Sequence, residues 1–127
     1  MSDANTQAPG TLGWMDLTVD DAEGVRDFYK EVVGFSHSDV PMGEYSDFCM
    51  NPPAGGDPTC GVCHARGSND GLPPVWIPYF IVEDIDKGIA ACTAKGGSIV
   101  AGPKSMGQAR YCIIKDPAGA VCAIYQP

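Results

Sequence analysis

The sequence predicts an α+β protein built from two copies of a βαβββ module, because its two halves repeat one pattern. Residues 17–23 (LTVDDAE) and 80–86 (FIVEDID) share the order apolar, variable, Val, acid, Asp, apolar, acid, and Asp84 lies 63 residues after Asp21. The same offset matches three further pairs: Gly34 with Gly97, Phe48 with Tyr111, and Cys49 with Cys112. A constant offset of half the chain indicates an internal structural repeat.

The first module is predicted to run from about residue 11 to 65. Residues 12–19 alternate polar and apolar near their end, as a half-buried strand does. Asp20 or Asp21 can cap the helix that follows, and Gly34 is placed to end it. Glycines and prolines then separate strands near 35–40, 44–50 and 59–65. The predicted buried stripe of the helix, at helical spacing, consists of Ala22, Val25, Phe28 or Tyr29, Val32 and Val33.

The second module repeats this plan over about residues 75–126. A strand at 75–82 precedes a helix capped by Glu83 or Asp84, and the helix ends at the glycine pair 96–97. Strands follow near 97–101, 108–115 and 120–125. The polar, Gly/Pro-rich segment 66–74 (RGSNDGLPP) is predicted to link the modules. The whole chain of 127 residues has the length of a single domain.

Charge and composition narrow the classes of partner. The formal net charge is −8, so phosphate backbones and anionic lipid surfaces are repelled, and we expect neither nucleic acid nor membrane partners. No apolar run approaches the roughly 20 residues that a membrane span needs. The first ten residues lack the features of a secretory signal, so we expect a cytoplasmic protein with six reduced cysteines.

Three stretches together resemble the vicinal oxygen chelate superfamily, which contains glyoxalases, bleomycin-resistance proteins and extradiol dioxygenases. They are residues 16–35, from DLTVDD through FY to VGF, the second opening at 79–86, and the closing Asp116-Pro117-x-Gly119 turn before an apolar strand. The resemblance covers about residues 11–126. It implies that the two modules arrange with pseudo-twofold symmetry around a concave cavity. In active members that cavity holds a divalent metal, bound by His, Glu or Gln from the first and last strand of each module.

The metal-ligand positions implied by this resemblance carry no ligand side chains. They fall on Trp14, Gly61, Ile77 and Ala123, none of which can bind a divalent ion through its side chain. The resemblance therefore implies a divergent member without the usual metal ligands. We predict no metal at these positions and no cofactor.

The cavity wall implied by the resemblance follows from the alternation of side chains along each strand. Asp16 is the single carboxylate on this predicted wall, and the repeat places Tyr79 at the equivalent position, facing it across the cavity. Asp16 is the candidate general base. The predicted ligand-binding residues are Trp14, Asp16, Cys63, Ile77, Tyr79, Ala123 and Tyr125.

Other motifs admit several interpretations. Residues 60–64 (CGVCH) spell the haem-attachment string C-x-x-C-H, and also a redox or zinc C-x-x-C, yet on a strand Cys60 and Cys63 would point to opposite faces. We therefore favour two structural thiols. The other four cysteines and His37 are also interpreted as structural, and residues 102–107 as a mobile rim of the cavity.

Three functions remain open on the sequence. The first is metal-independent binding of a small aromatic or apolar molecule. The second is a lyase-, isomerase- or dioxygenase-type enzyme that uses a relocated metal site or Asp16 as general base. The third is a structural or regulatory partner without a ligand. We expect a homodimer, because short modules leave sheet edges that need cover and the family often dimerises.

Overall fold

The computed structural model describes residues 8–127. Its helices and strands follow one another in the order βαβββ, twice, which confirms the predicted α+β class. The elements are β1 (Leu12–Val19), α1 (Ala22–Val33), β2 (Ser36–Pro41), β3 (Ser46–Asn51), β4 (Cys60–His64), β5 (Trp76–Ile81), α2 (Ile85–Ala94), β6 (Ser98–Met106), β7 (Ala109–Lys115) and β8 (Val121–Gln126).

The chain divides into two compact units. The first unit is Met15–Trp76, and the second combines Ile77–Pro127 with residues 8–14. The first unit has the strand order β2-β3-β4-β1, and the second has the order β5-β8-β7-β6. In each, the first and last strands of the module pair in parallel and the other pairs are antiparallel.

Both helices begin at the aspartates that the repeat aligns. The Oδ1 atom of Asp21 accepts a hydrogen bond from the Gly24 amide at 3.0 Å, and Oδ1 of Asp84 accepts one from the Lys87 amide at 3.1 Å. These side chains satisfy amides that have no partner within the helix. The helices start at Ala22 and Ile85, again 63 residues apart, so the repeat found in the sequence is present in the structure.

Helix α1 packs on the first unit's sheet through a narrower stripe than the sequence predicted. Ala22 is fully buried, and Val25 and Tyr29 pack beside it. Phe28, Val32 and Val33 are 56, 63 and 51 % exposed. The predicted burial of Val32 and Val33 is therefore wrong, and of the alternatives Phe28 and Tyr29 it is Tyr29 that packs on the core. One helix face meets the sheet, and the three exposed residues lie outside it. The buried residues of this core are Ala22, Phe48, Met50, Cys60 and Val62.

The second unit buries its own core under α2. This core contains Ile85, Cys112 and Ile124, with Ile89 and Ile114 among the residues packed against it. Two hydrogen bonds of 3.0 Å from the Arg110 guanidinium to the Asp86 carboxylate tie β7 to α2. Among the residues that the structure describes, no helix is both long and apolar enough to span a membrane.

The strand register shows that the predicted repeat is misaligned by one residue at one strand of each module. Phe48 pairs with Val62, and both lie in the first core, whereas Cys112 pairs with Ile124, and both lie in the second. The structural counterpart of Phe48 is therefore Cys112, not Tyr111. The sequence offset slips here because the second module has one more residue between the start of its helix and this position of the strand.

Residues 102–106 are part of a strand. Lys104 pairs with Tyr111 and Met106 with Ala109, so the predicted cavity rim is instead the second half of β6. Only Gly107, at φ +64°, and Gln108 remain between β6 and β7. The proline and two glycines in this segment suggested a loop, but a bulged strand tolerates them.

Candidate functional site

The first unit presents a polar surface on the side of its sheet that faces away from α1. Met15 and Val19 pack into the core under α1, so alternation puts Asp16 and Thr18 on the opposite side. Asp16 lies opposite Gly61 on β4, and Gly61 lies opposite Cys49 on β3. We call this surface the acidic face and define it by Asp16, Thr18, Asp47, Cys49, Gly61 and Cys63.

The thiols of the acidic face are held in their protonated form. Burial strongly raises the pKa of Cys63, and the neighbouring charges of Asp16 and Asp47 raise it further. Burial and then Asp16 also raise the pKa of Cys49. A thiol is a nucleophile only as the thiolate, so these cysteines act at neutral pH as small, weakly donating groups.

A hydrogen-bonded pair, Asp47 and His64, borders this face. The Oδ1 atom of Asp47 accepts a hydrogen bond from the His64 amide at 2.8 Å and lies 3.3 Å from Nδ1 of the same residue. The Tyr45 ring packs against the His64 ring at 5.2 Å between centroids. Sequence reasoning missed this pair; the only signal for it is a single aspartate at the start of the strand DFCM.

The C-x-x-C-H string divides between the two sides of the sheet, as predicted. Cys60 lies in the first core beside Val62, whereas Cys63 lies on the acidic face and His64 contacts Asp47. The two thiols therefore cannot act as one dithiol or attach one haem through adjacent bonds. All six cysteines carry free thiols.

The second unit presents an aromatic surface on the side of its sheet that faces away from α2. Tyr79 lies opposite Ala123, and Tyr111 lies opposite Tyr125. The rings of Tyr79 and Tyr111 are 5.9 Å apart between centroids, with an interplanar angle of 50°. We call this surface the tyrosine face and define it by Ile77, Tyr79, Tyr111, Ile113, Ala123 and Tyr125.

Burial on the tyrosine face is graded. Ile77, Ile113 and Ala123 are buried at its base, and Tyr79 is 7 % exposed. Tyr111 and Tyr125 are half-buried, so their rings keep accessible edges. Sequence reasoning did not select Tyr111, because the cavity wall was derived only from the strands that carry the implied metal positions, and β7 carries none.

The predicted site residues fall into both units. Asp16 and Cys63 lie on the acidic face. Ile77, Tyr79, Ala123 and Tyr125 lie on the tyrosine face, and Trp14 also belongs to the second unit. The register places Tyr79 opposite Ala123 just as Asp16 lies opposite Gly61, so Asp16 and Tyr79 are equivalent within their modules. That they face each other stays a prediction.

The residues at the implied metal positions do not fit a divalent ion. Gly61 and Ala123 offer no donor atom on a side chain, and Trp14 and Ile77 offer none that binds such a metal. Within residues 8–127, no three or more His, Cys, Asp and Glu side chains are grouped so that they could hold a metal ion.

Comparison with known proteins assigns the family. The model of the Glyoxalase/Bleomycin resistance protein/Dioxygenase superfamily matches residues 11–124, and the chain belongs to this superfamily. It is 31 % identical over 119 residues to the Mycobacterium bovis protein "Putative glyoxylase CFP32", a match that covers 93 % of the chain and 44 % of that protein.

A second relative is named for an antibiotic pathway. The chain is 29 % identical over 115 residues to the Streptomyces peucetius "Anthracycline biosynthesis protein DnrV", covering 91 % of the chain and 41 % of that protein. The chain thus spans less than half the length of either relative.

Solved structures agree on the fold. A superfamily member from Vibrio splendidus superposes with a TM-score of 0.60 at 16 % identity, covering 92 % of this chain and all of the other. Methylmalonyl-CoA epimerase from Mycobacterium tuberculosis superposes with a TM-score of 0.55 at 15 % identity, covering 99 % of this chain and 93 % of the epimerase. At such low identity these similarities establish the fold alone.

Proposed function

We propose that the protein binds a small planar aromatic molecule on the tyrosine face, without a metal ion. The observation that carries this proposal is the contact between the rings of Tyr79 and Tyr111, on a sheet face that they share with the aliphatic side chain of Ile113. Aromatic rings stack on planar ligands and gain roughly 0.5–1.5 kcal/mol per ring pair beyond the apolar area that they bury. Tyrosine hydroxyls at the rim can orient polar substituents of the ligand.

The names of two relatives support an aromatic ligand. Both Streptomyces relatives, 29 and 28 % identical to this chain, are named as anthracycline biosynthesis proteins. Anthracyclines are built on planar fused rings, which suit a surface lined by tyrosines. We extend this ligand class to the present chain as a proposal.

Asp16 is proposed as a contact for a ligand of the acidic face, through a hydrogen bond from a donor group of that ligand. Asp16 is half-buried, and its negative charge contributes to raising the pKa values of Cys49, Cys60 and Cys63. A carboxylate in such surroundings is a strong acceptor, because hydrogen bonds to ionised groups exceed those between neutral groups.

Titration with quinizarin (1,4-dihydroxyanthraquinone), a planar and neutral probe, tests the proposal. We expect saturable binding to the parent protein, and Tyr111→Leu should weaken it about tenfold by removing one ring. Tyr45→Leu removes a half-buried ring from the first unit and serves as the matched control. Absence of saturable binding, or equal loss in both variants, would contradict the proposal.

An enzyme that uses Asp16 as general base is the alternative. The favouring observation is that Asp16 lies opposite Gly61, a residue without a side chain. Mass spectrometry of a bound ligand after prolonged incubation separates the two functions. Product that accumulates with the parent protein but not with Asp16→Asn would favour the enzyme.

The oligomeric state and the cellular location of the protein are also proposals. We propose a cytoplasmic homodimer, supported by three exposed apolar side chains on α1: Phe28, Val32 and Val33. Exposed apolar patches often mark surfaces that associate.

A further inference from the structure

The imidazole of His64 and the carboxylate of Asp47 form a dyad at the end of β4. The Oδ1 atom of Asp47 accepts a hydrogen bond from the His64 amide at 2.8 Å and lies 3.3 Å from Nδ1 of the ring. One oxygen atom therefore holds both the backbone and the side chain of the same residue. Both side chains are mostly buried, so little water competes for this contact.

The dyad fixes the position of the proton on the neutral ring. An ionised carboxylate can only accept a hydrogen bond, so Nδ1 of His64 carries the proton and Nε2 keeps its lone pair. Within residues 8–127, Asp47 is the sole hydrogen-bond partner of the ring, and no buried side-chain nitrogen or oxygen atom lacks a partner. The Nε2 atom therefore reaches solvent, where its lone pair can attack an electrophile.

Aromatic side chains surround the imidazole and hold its orientation. The rings of Tyr45 and Phe48 lie 5.2 and 5.9 Å from the His64 ring, between centroids. Arg66 packs over the Tyr45 ring at 4.2 Å, and an oxygen of Glu44 lies 4.0 Å from its guanidinium. Aromatic neighbours favour an apolar molecule beside Nε2, and the net charge of −8 disfavours an anion.

His37, the other histidine of the chain, offers an internal comparison. Its ring also contacts Phe48, at 5.5 Å between centroids, and it also has an aspartate partner. That partner, Asp39, is 62 % exposed and lies 3.5 Å from Nε2, the nitrogen that His64 leaves open. The side chain of His37 is 24 % exposed, against 13 % for His64. Exposure alone would make His37 the more reactive histidine, whereas orientation by a buried carboxylate would make it His64.

We propose that Asp47 and His64 form a hydrolytic site for small uncharged aryl esters, with His64 as the nucleophile and Asp47 as its positioning residue. The Nε2 atom attacks the ester carbonyl, the bond from the acyl carbon to the aryloxide oxygen breaks, and Asp47 stabilises the acyl-imidazolium that forms. Water then attacks the acyl carbon and releases the carboxylic acid and neutral His64, while its second proton passes through solvent to the aryloxide. This activity belongs to the first unit and does not depend on ligand binding at the tyrosine face.

Release of 4-nitrophenolate from 4-nitrophenyl acetate, followed by absorbance, tests the activity. We expect His64→Gln to lose about tenfold or more in kcat/KM, and the matched control His37→Gln to stay within about twofold of the parent protein. Asp47→Asn should lower kcat with KM changed by less than about twofold, because the amide can still accept the His64 backbone hydrogen bond but does not balance a positive ring. Urea denaturation shows that each variant is folded.

Modification by diethyl pyrocarbonate is a second test that needs no variant. This reagent transfers an ethoxycarbonyl group to unprotonated imidazole, and peptide mass spectrometry gives the rate at each histidine of the parent protein. We expect His64 to react faster than His37, although it is less exposed. If His37 reacts as fast as His64 or faster, Asp47 confers no reactivity and the proposal is overturned. Ester hydrolysis by His64→Gln at the parent rate overturns it equally, and neither result bears on aromatic binding at the tyrosine face.

Discussion

At the scale of single residues, Asp16 is the carboxylate with the widest influence on the acidic face. Its charge contributes to raising the pKa values of Cys49, Cys60 and Cys63. We propose that the same carboxylate accepts a hydrogen bond from a ligand. Substitution of Asp16 therefore distinguishes most directly between a binding protein and an enzyme that uses Asp16 as general base.

Asp16→Asn should keep the fold and weaken, by about 1–3 kcal/mol, the binding of any small molecule that screening finds to bind the acidic face. This is the usual cost of losing a hydrogen bond to a charged group. Dissociation constants from fluorescence titration measure the loss. Asp20→Asn, an exposed aspartate just beyond β1, is the control and should bind as the parent does. Unchanged affinity in Asp16→Asn would remove Asp16 from the site.

The raised pKa values of the buried thiols predict a fall in stability at alkaline pH. An unfolded chain releases thiol protons near pH 8.5, whereas folded Cys63, Cys60 and Cys112 retain theirs to higher pH. The folded state then binds more protons, so the free energy of unfolding falls by up to about 1.4 kcal/mol per pH unit for each retained proton. Below about pH 8 this stabilising contribution is fully present.

Urea denaturation at pH 7.5 and 9.5 measures this dependence, and Cys63→Ala should reduce the difference between the two values. Iodoacetamide should modify native Cys63 far more slowly than the unfolded chain, since the thiolate is the reactive form. Equal stability at both pH values, together with rapid alkylation of native Cys63, would contradict the assigned burial.

Single residues were predictable from sequence where a local rule decides them. The sequence limited the N-cap of the first helix to Asp20 or Asp21 and that of the second helix to Glu83 or Asp84, because few residue types cap a helix well. The pairing of Asp47 with His64 was not predictable, since it joins residues 17 positions apart through strand register. Tyr111 was missed for a different reason, because it lies on β7, which carries none of the implied metal positions from which the cavity wall was derived.

At the scale of secondary-structure elements, β6 has the most unusual construction. Gly102 combines a positive φ with tight contacts to the Lys104 amide and the Tyr111 carbonyl. Gly102→Ala should therefore destabilise the protein by about 1–3 kcal/mol, as strain at a disfavoured φ adds to the close approach. Gly107→Ala is the control, since Gly107 also has a positive φ but open space around it, and it should cost less.

Urea denaturation gives both free energies. A Gly102→Ala variant as stable as Gly107→Ala would mean that the irregularity in β6 is not held in place by this glycine. The sequence could not reveal this element. Its Gly102-Pro103 pair has the composition of a turn, and only pairing with β7 makes it a strand.

At the scale of the whole molecule, the exposed face of α1 bears on assembly. Phe28 and Val32 lie one helical turn apart and are 56 and 63 % exposed. We expect light scattering to give about twice the chain mass of 13.3 kDa. Val32→Glu should weaken the dimer by placing a charge in an apolar interface. Val40→Glu, at an exposed apolar position on β2, is the control. A monomer mass for the parent protein at high concentration would contradict the proposal.

The overall architecture was the most predictable property of this chain. Two modules with the same element order follow from a repeat that survives in turn glycines, capping aspartates and strand openings. The site was less predictable, because the four metal positions that the family resemblance implies carry no ligand side chains in this chain. Function therefore has to be argued from the surfaces of the sheets and not from the family name.

Metal-independent binding of an aromatic ligand is the central claim, and one titration tests it most directly. Quinizarin should be titrated into protein stripped of metal by a chelator, and into the same protein supplied with Zn²⁺ or Mn²⁺. Because Trp14, Gly61, Ile77 and Ala123 cannot bind a divalent ion through their side chains, we predict the same dissociation constant, within about twofold, in all three samples. Binding that disappears in the stripped protein and returns with the added ion would contradict the account.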